Sequence, residues 1–170
     1  RSADASLPYR FCILTATRTD EVRLASWEEI DLNNRIWSLP KDRMKSRRQF
    51  RIPLSDAAVE ILMMIGPKAE GFIFEREPGK PFSNNALLAL RDRMGFKDKC
   101  TTHGFRSSFR EWAHHNNVDR IAAEKCLDHK VLGKAEKAYF RDDLLEQRRE
   151  ILAQWAEYVT RTSETGEVVD

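Results

Sequence analysis

Residues 26–53 read SWEEIDLNNRIWSLPKDRMKSRRQFRIP. Ile30 and Leu32 alternate with polar residues, Asn33-Asn34 is a tight-turn signal, and Ile36, Trp37 and Leu39 resume an extended pattern that Pro40 ends. Gln49 to Pro53 then returns as a third strand. The stretch predicts a three-stranded antiparallel meander. Between its second and third strands runs a basic loop, where Lys41, Arg43, Lys45, Arg47, Arg48 and Arg51 face Asp42 alone. Such a loop is either a solvated face or an edge that touches phosphates. Lys45 lies on its exposed turn.

Helical spacing surrounds the meander on both sides. Leu7, Phe11 and Leu14 predict a buried helix from about Leu7 to Thr17. Thr19 or Asp20 caps a second, short helix through Val22 and Leu24, with Arg18 at the junction, where a turn can aim a side chain into a cleft. After the meander, Ser55 caps a helix carrying Ala58, Ile61, Leu62 and Ile65, closed by Gly66-Pro67. Phe72-Ile73-Phe74 reads as a short buried strand and Glu75 to Phe82 as a loop, and Ser83 starts a helix that ends near Gly95. Thr102 is a good N-cap for a central helix from His103 to about His115, whose core face is Phe105, Phe109, Trp112 and Ala113. Asp119 caps the next helix, through Ile121, Ala122 and Leu127, and a shorter helix from about Lys134 carries Tyr139. The last helix runs from about Asp142 to Val159 on Leu145, Ile151, Leu152 and Trp155, and a polar tail closes the chain. The predicted fold is α+β and mainly helical, with a small three-stranded sheet near the N-terminus packed on a helical bundle.

The 170 residues suit one domain with a sizeable core, and 41% hydrophobic against 33% charged residues excludes a disordered chain. No apolar run is long enough to span a bilayer, and the first residues show no signal-peptide pattern. Arg1 in place of an initiator Met predicts a fragment or a processed form. Cys12, Cys100 and Cys126 are odd in number and far apart, which predicts no disulfide framework and a reducing cytoplasm. Net charge is only +2, so any attraction for nucleic acid is local to the basic loop.

Two readings fit the polar residues. Cys100-Thr101-Thr102-His103 and Cys126-Leu127-Asp128-His129 are two C-x-x-H pairs, the ligand types and spacing of structural zinc. Both adjoin strongly apolar helices that need no metal to fold. The second reading is phosphoryl transfer without metal, using Arg18, Lys45, His103, Arg106, His129 and Tyr139. His103 and Arg106 are three apart and share a helix face beside a partly positive N-terminus. Two arginines can fork onto the non-bridging oxygens of a phosphodiester. A tyrosine hydroxyl needs a base before it attacks, which a histidine can supply, and a lysine can protonate a departing alkoxide.

The same set, in the same order, resembles the catalytic domain of the tyrosine recombinases, specifically the phage and prophage integrases. The matching pieces are Leu14-Thr15-Ala16-Thr17-Arg18-Thr19-Asp20-Glu21-Val22, Arg43-Met44-Lys45 leading to Ile52-Pro53-Leu54-Ser55, His103-Gly104-Phe105-Arg106-Ser107-Ser108-Phe109, Leu127-Asp128-His129 and Ala138-Tyr139. Arg148-Arg149 and Trp155-Ala156 look like the family's closing helix. The resemblance spans nearly the whole chain, so that residues 1–170 would be one catalytic domain with 159–170 a flexible tail.

The resemblance implies that Tyr139 attacks a DNA phosphate to form a 3′-phosphotyrosine link and free a 5′-hydroxyl. Arg18 and Arg106 would hold the phosphate, Lys45 would be the general acid, His103 would assist as base, and His129 would hydrogen-bond the phosphate. Arg43, Arg47 and Arg48 would contact DNA. No metal, ATP or other cofactor is implied. The implied partners are double-stranded DNA attachment sites and other copies of the protein, four in a full-length synapse, in the bacterial cytoplasm and nucleoid. Type IB topoisomerases share similar chemistry, and a DNA-binding module with a vestigial site is the non-enzyme alternative. The family's N-terminal core-binding and arm-binding domains are absent from this sequence, which predicts weak DNA binding. Asp128 precedes His129 where the family carries a small residue such as Ala or Gly. Its carboxylate is expected to point outward, because an inward one would repel a phosphate.

Overall fold

The structure, a computed structural model, describes residues 6–97, 99, 101, 103–129 and 142–161. Among these it has seven α-helices: α1 (Ser6–Thr15), α2 (Thr19–Arg23), α3 (Asp56–Ile65), α4 (Asn84–Arg93), α5 (Gly104–His115), α6 (Arg120–Cys126) and α7 (Leu145–Thr160). The strands are β1 (Ile30–Asp31), β2 (Ile36–Leu39), β3 (Phe50–Pro53), β4 (Glu75–Glu77) and β5 (Lys80–Pro81). The fold is α+β and mainly helical.

The first three strands form the predicted antiparallel sheet in the order β1-β2-β3. Trp37 pairs with both Ile30 and Ile52, and Leu39 pairs with Phe50. Trp37, Leu39 and Ile52 are buried, while Ser38 and Arg51 face outward to different degrees. That alternation fixes the register, since a slip by one residue would expose the indole. Helix α7 packs on β3. Its Arg148 is buried, donates from Nη2 to the Arg51 carbonyl at 2.7 Å, and lies 4.7 Å from the centre of the Phe50 ring. The indole of Trp155 donates to the Ile13 carbonyl at 2.8 Å and ties α7 to α1. Phe109, Trp112 and Trp155 form an aromatic cluster between α5 and α7, and Phe11 joins Trp37 and Phe74 beneath the sheet.

Helix starts follow their caps. The Ser55 hydroxyl accepts from the Ala58 N–H, and the Asp119 carboxylate accepts from the Ala122 N–H. Several local details differ from expectation. Phe72-Ile73-Phe74 is no strand but a segment held by a bridge from Phe72 to Ser26 and by the Ile73 N–H to the Ala25 carbonyl. The expected loop after it contains the β4–β5 hairpin, which lacks apolar alternation because both strands are largely exposed. Residues Trp27–Glu29 form a 3₁₀ turn ahead of β1. Helix α1 stops at Thr15, where Ala16 turns left-handed (φ 51°). Helix α7 starts at Leu145, after a left-handed Leu144. The predicted helix carrying Tyr139 and the tail beyond Arg161 lie outside the described residues.

Candidate active site

Two separate elements line one cleft, and a third touches its arginines from behind. The first is the α1–α2 junction. Thr15 and Thr17 are buried and their hydroxyls pair at 2.8 Å, while Thr15 also donates to the Phe11 carbonyl at 2.7 Å. This buried knot and the left-handed Ala16 set the direction of the chain into Arg18, the residue at the N-cap of α2. The second is the start of α5, where His103 takes the N-cap position and Arg106 lies one turn in. The helix was expected to be capped by Thr102, which lies outside the described residues. Instead the Thr101 hydroxyl accepts from the Gly104 N–H at 2.8 Å. The third is the turn after α6, which carries Asp128 and His129.

The cleft has a volume of about 220 Å³ and is lined by Thr17, Arg18, Thr19, Asp20, His103 and Arg106. Arg106 is only 4% exposed. Its Nη1 donates to the Ala16 carbonyl and its Nη2 to the Leu127 carbonyl, each at 2.6 Å, and Nη2 also lies 3.3 Å from His129 Nε2. A guanidinium has five N–H groups. The buried Nε–H has no hydrogen-bond partner among the described residues. Burial first, and then the neighbouring charge of Arg18, pull Arg106 below the usual arginine range. Two like charges are thus held together at the wall of an open cleft.

Arg18 is half-buried and answers to two carboxylates. Its Nη1 lies 2.7 Å from Glu21 Oε1 and 3.8 Å from Asp128 Oδ2. Glu21 also accepts from the Arg18 backbone N–H at 2.7 Å, which closes the first turn of α2. Asp128 therefore points inward, toward the arginine, and not outward as expected. Its left-handed backbone (φ 52°) is the cause. His129 N–H reaches back to the Glu124 carbonyl and Asp128 N–H to the Lys125 carbonyl, the paired bonds of a Schellman helix end. That motif requires a left-handed residue at position 128, which glycine adopts freely and Asp or Asn tolerates. Burial raises the Asp128 carboxyl above the ordinary carboxylate range and nearby Glu21 adds to this, against the Ser46 hydroxyl, Arg18 and Arg106, which oppose it.

Lys45 stands apart. It is exposed on the β2–β3 loop, and among the described residues it makes no hydrogen bond or ion pair. Met44 beside it is buried and anchors the loop. Arg47 and Arg48 are exposed. Arg43, expected beside them on a DNA-contacting edge, is turned inward: it pairs with Glu29 and donates to the Glu21 carbonyl at 2.7 Å. The zinc pairs fare differently from each other. Cys126 is buried, its thiol pushed up to about 11 by desolvation, and Cys100 is outside the described residues. Among the described residues no group of three His, Cys, Asp or Glu side chains could hold a metal. The sequence reading missed the inward roles of Glu21, Glu124 and Arg148. Glu21 alone left a local signal, since it falls one helical turn from Arg18.

The sequence profile of the Phage integrase family matches residues 2–145. The chain is 35% identical over 161 residues to Prophage integrase IntA of Escherichia coli (strain K12), covering 92% of this chain and 39% of that protein. It is 30% identical over 151 residues to the Integrase of Shigella phage Sf6, covering 85% of this chain and 39% of that one. The structure of the Integrase from mycobacterium phage Brujita shares the fold, with a TM-score of 0.70 at 19% identity over 95% of this chain and 54% of that chain. The chain belongs to the phage integrase family, within the tyrosine recombinases. It spans about two-fifths of the length of the curated relatives it matches.

Proposed function

We propose that residues 1–170 form the catalytic domain of a site-specific DNA recombinase that cleaves and rejoins double-stranded DNA through Tyr139. The observation that carries the proposal is the pair of guanidiniums at the cleft. Arg106 is buried, is crowded by Arg18, and keeps an N–H without a partner among the described residues. An anion with several oxygens, bridging the two, would relieve the repulsion. The N-terminus of α5 adds a partly positive helix end at His103. Membership of the integrase family makes a DNA phosphodiester the anion of choice.

In the proposed reaction His103 takes the proton of the Tyr139 hydroxyl as its oxygen attacks phosphorus. The bond from phosphorus to the 5′-oxygen breaks, and Lys45 gives that oxygen a proton. Arg18 and Arg106 hold the non-bridging oxygens as charge builds, and His129 binds one of them. The product is a 3′-phosphotyrosine link and a 5′-hydroxyl. Attack by a partner strand's 5′-hydroxyl reverses the steps, so no ATP or metal is needed. The partners are DNA attachment sites and further copies of the protein, in the bacterial cytoplasm and nucleoid. No described helix is long and apolar enough to cross a membrane.

A nicked duplex that loses a short fragment on cleavage traps the covalent complex. The parent chain should form an adduct that survives denaturation, and Tyr139→Phe should form none at an unchanged unfolding midpoint. An adduct with Tyr139→Phe would remove the assignment.

A further inference from the structure

The Schellman turn that ends α6 does more than reverse the chain. It brings the side chain at its third residue from the end, Glu124, against the side chain two residues past the cap, His129. In such turns these two positions usually make an apolar contact. Here Glu124 Oε2 lies 2.5 Å from His129 Nδ1. The other carboxylate oxygen accepts from Arg110 Nε at 2.7 Å, and Arg110 is one turn beyond Arg106 on α5. Arg110, Glu124, His129 and Arg106 form a continuous polar chain that ends at the cleft.

The donors and acceptors in this chain leave no freedom. An arginine N–H can only donate, so His129 Nε2, facing Arg106, must accept. An ionised carboxylate can only accept, so His129 Nδ1 must carry the proton. We infer that Glu124 is a positioning residue for the DNA chemistry: it fixes the Nδ1–H tautomer of His129 and turns Nε2 toward Arg106, the guanidinium at the wall of the cleft. The inference rests on the DNA-cleavage reading above for its consequence, though not for the tautomer itself. To hydrogen-bond a phosphate oxygen, Nε2 has to take up one proton from solvent. The doubly protonated ring then keeps Glu124 as its counter-charge, as a carboxylate does for a histidine held in a reactive site. Among the described residues the charged groups linked to the ring are Arg106 on α5 and Glu124 on α6, with Arg110 behind Glu124 and Asp128 next in the chain.

The test has two arms. In the first, the chain is labelled with ¹⁵N-histidine and examined by NMR without DNA at pH about 8, where a free imidazole is neutral. Its four histidines are sorted by the signal lost in His129→Ala. His129 of the parent should show a protonated Nδ1 and a bare Nε2, and Glu124→Gln, which keeps the shape but loses the charge, should show both tautomers. A parent ring protonated at Nε2 overturns the inference. In the second arm, adduct formation on the nicked duplex is timed. Glu124→Gln should be slower than the parent by roughly 10- to 100-fold, the usual loss when an outer partner of a working histidine is removed. In a His129→Ala background the same change should cost nothing further. An equal further loss there would make Glu124 a structural residue, and overturn the inference. If the parent itself forms no adduct, the DNA-cleavage reading fails while the tautomer arm still decides the role of Glu124.

Discussion

Arg106 and Lys45 are both placed in the proposed chemistry, yet the molecule holds them on opposite terms. Arg106 is buried and tied to two carbonyls from distant parts of the chain, Ala16 and Leu127, so the α1–α2 junction and the end of α6 meet through its guanidinium. Lys45 stands in solvent on a loop anchored beside it by Met44 and Arg43. A group that must bind the same anion throughout a reaction gains from a rigid seat. A group that protonates an oxygen only as it leaves can arrive on a mobile loop. The difference gives one residue a part in stability as well as in the proposed chemistry, and the other a part in the proposed chemistry alone.

Substitution should separate the two most sharply at Arg106. Arg106→Ala leaves two buried carbonyls without donors and should cost roughly 3–5 kcal/mol of unfolding free energy, in the range for breaking a buried polar network. Arg106→Lys should recover little, because an ammonium cannot fork to both carbonyls. Arg18→Ala leaves the buried Glu21 carboxylate with the backbone N–H of residue 18 and should cost less, roughly 1–3 kcal/mol. Urea titration measures all three, and an Arg106→Ala midpoint equal to the parent's would show that the carbonyls find other donors.

Lys45→Ala should unfold like the parent and lose rate alone, by roughly 10²-fold or more on ordinary DNA. A 5′-sulfur leaves readily without a proton, so a 5′-thio substrate should restore Lys45→Ala nearly to parental speed. Arg106→Ala should stay slow on both substrates. Failure of the sulfur to rescue would make Lys45 a binding residue, with His103 the next candidate for the acid.

The contrast between these two residues also marks what a sequence can disclose. His103 and Arg106 could be placed together because i, i+3 spacing is local, whereas Arg18, far off in the chain, joined them only through the family resemblance. The sheet was legible because Ile30 and Leu32 alternate with polar residues and because Asn33-Asn34 and Pro40 mark where strands end. The carbonyls that bind Arg106 were not legible, since a backbone acceptor carries no side-chain signature and its use depends on how α1, α5 and α6 pack. The burial of Arg148 was not legible either, because arginines on helices are usually exposed. The direction of Asp128 turned on one dihedral angle. The expectation of an outward carboxylate weighed repulsion of a phosphate and left out the left-handed turn that aims the side chain at Arg18.

Asp128 is the place where the rigid site is set against its proposed substrate. Its carboxylate would compete with a phosphate for Arg18. Asp128→Asn, which also tolerates the left-handed turn, should bind DNA about fivefold more tightly at neutral pH, the equivalent of ~1 kcal/mol. The carboxyl is raised in the fold, so its ionised form costs stability at neutral pH, and that cost disappears as pH falls below the ordinary carboxylate range. The Asn variant should therefore melt slightly above the parent at pH 7, and the gap should close in acid, as should the gap in DNA affinity. Gaps that persist unchanged below the carboxylate range would mean that the charge of Asp128 is not their source.

The smallest effects should come from the loop arginines, and they divide the loop into an inner and an outer face. Arg48 is exposed, and Arg47 is exposed with a left-handed backbone (φ 57°), so the informative changes are Arg48→Ala and Arg47→Asn, which respects that backbone. Each phosphate contact releases counterions and contributes about 0.9 to the slope of log affinity against log salt. Losing Arg47 or Arg48 should lower that slope by about 1 and weaken all DNA sequences alike. Arg43→Ala should behave oppositely. Its guanidinium is committed to Glu29 and the Glu21 carbonyl, so the slope should hold while the unfolding midpoint falls. A lowered slope for Arg43→Ala together with an unchanged slope for Arg48→Ala would reverse the two faces, and would mean that the loop turns over when DNA binds.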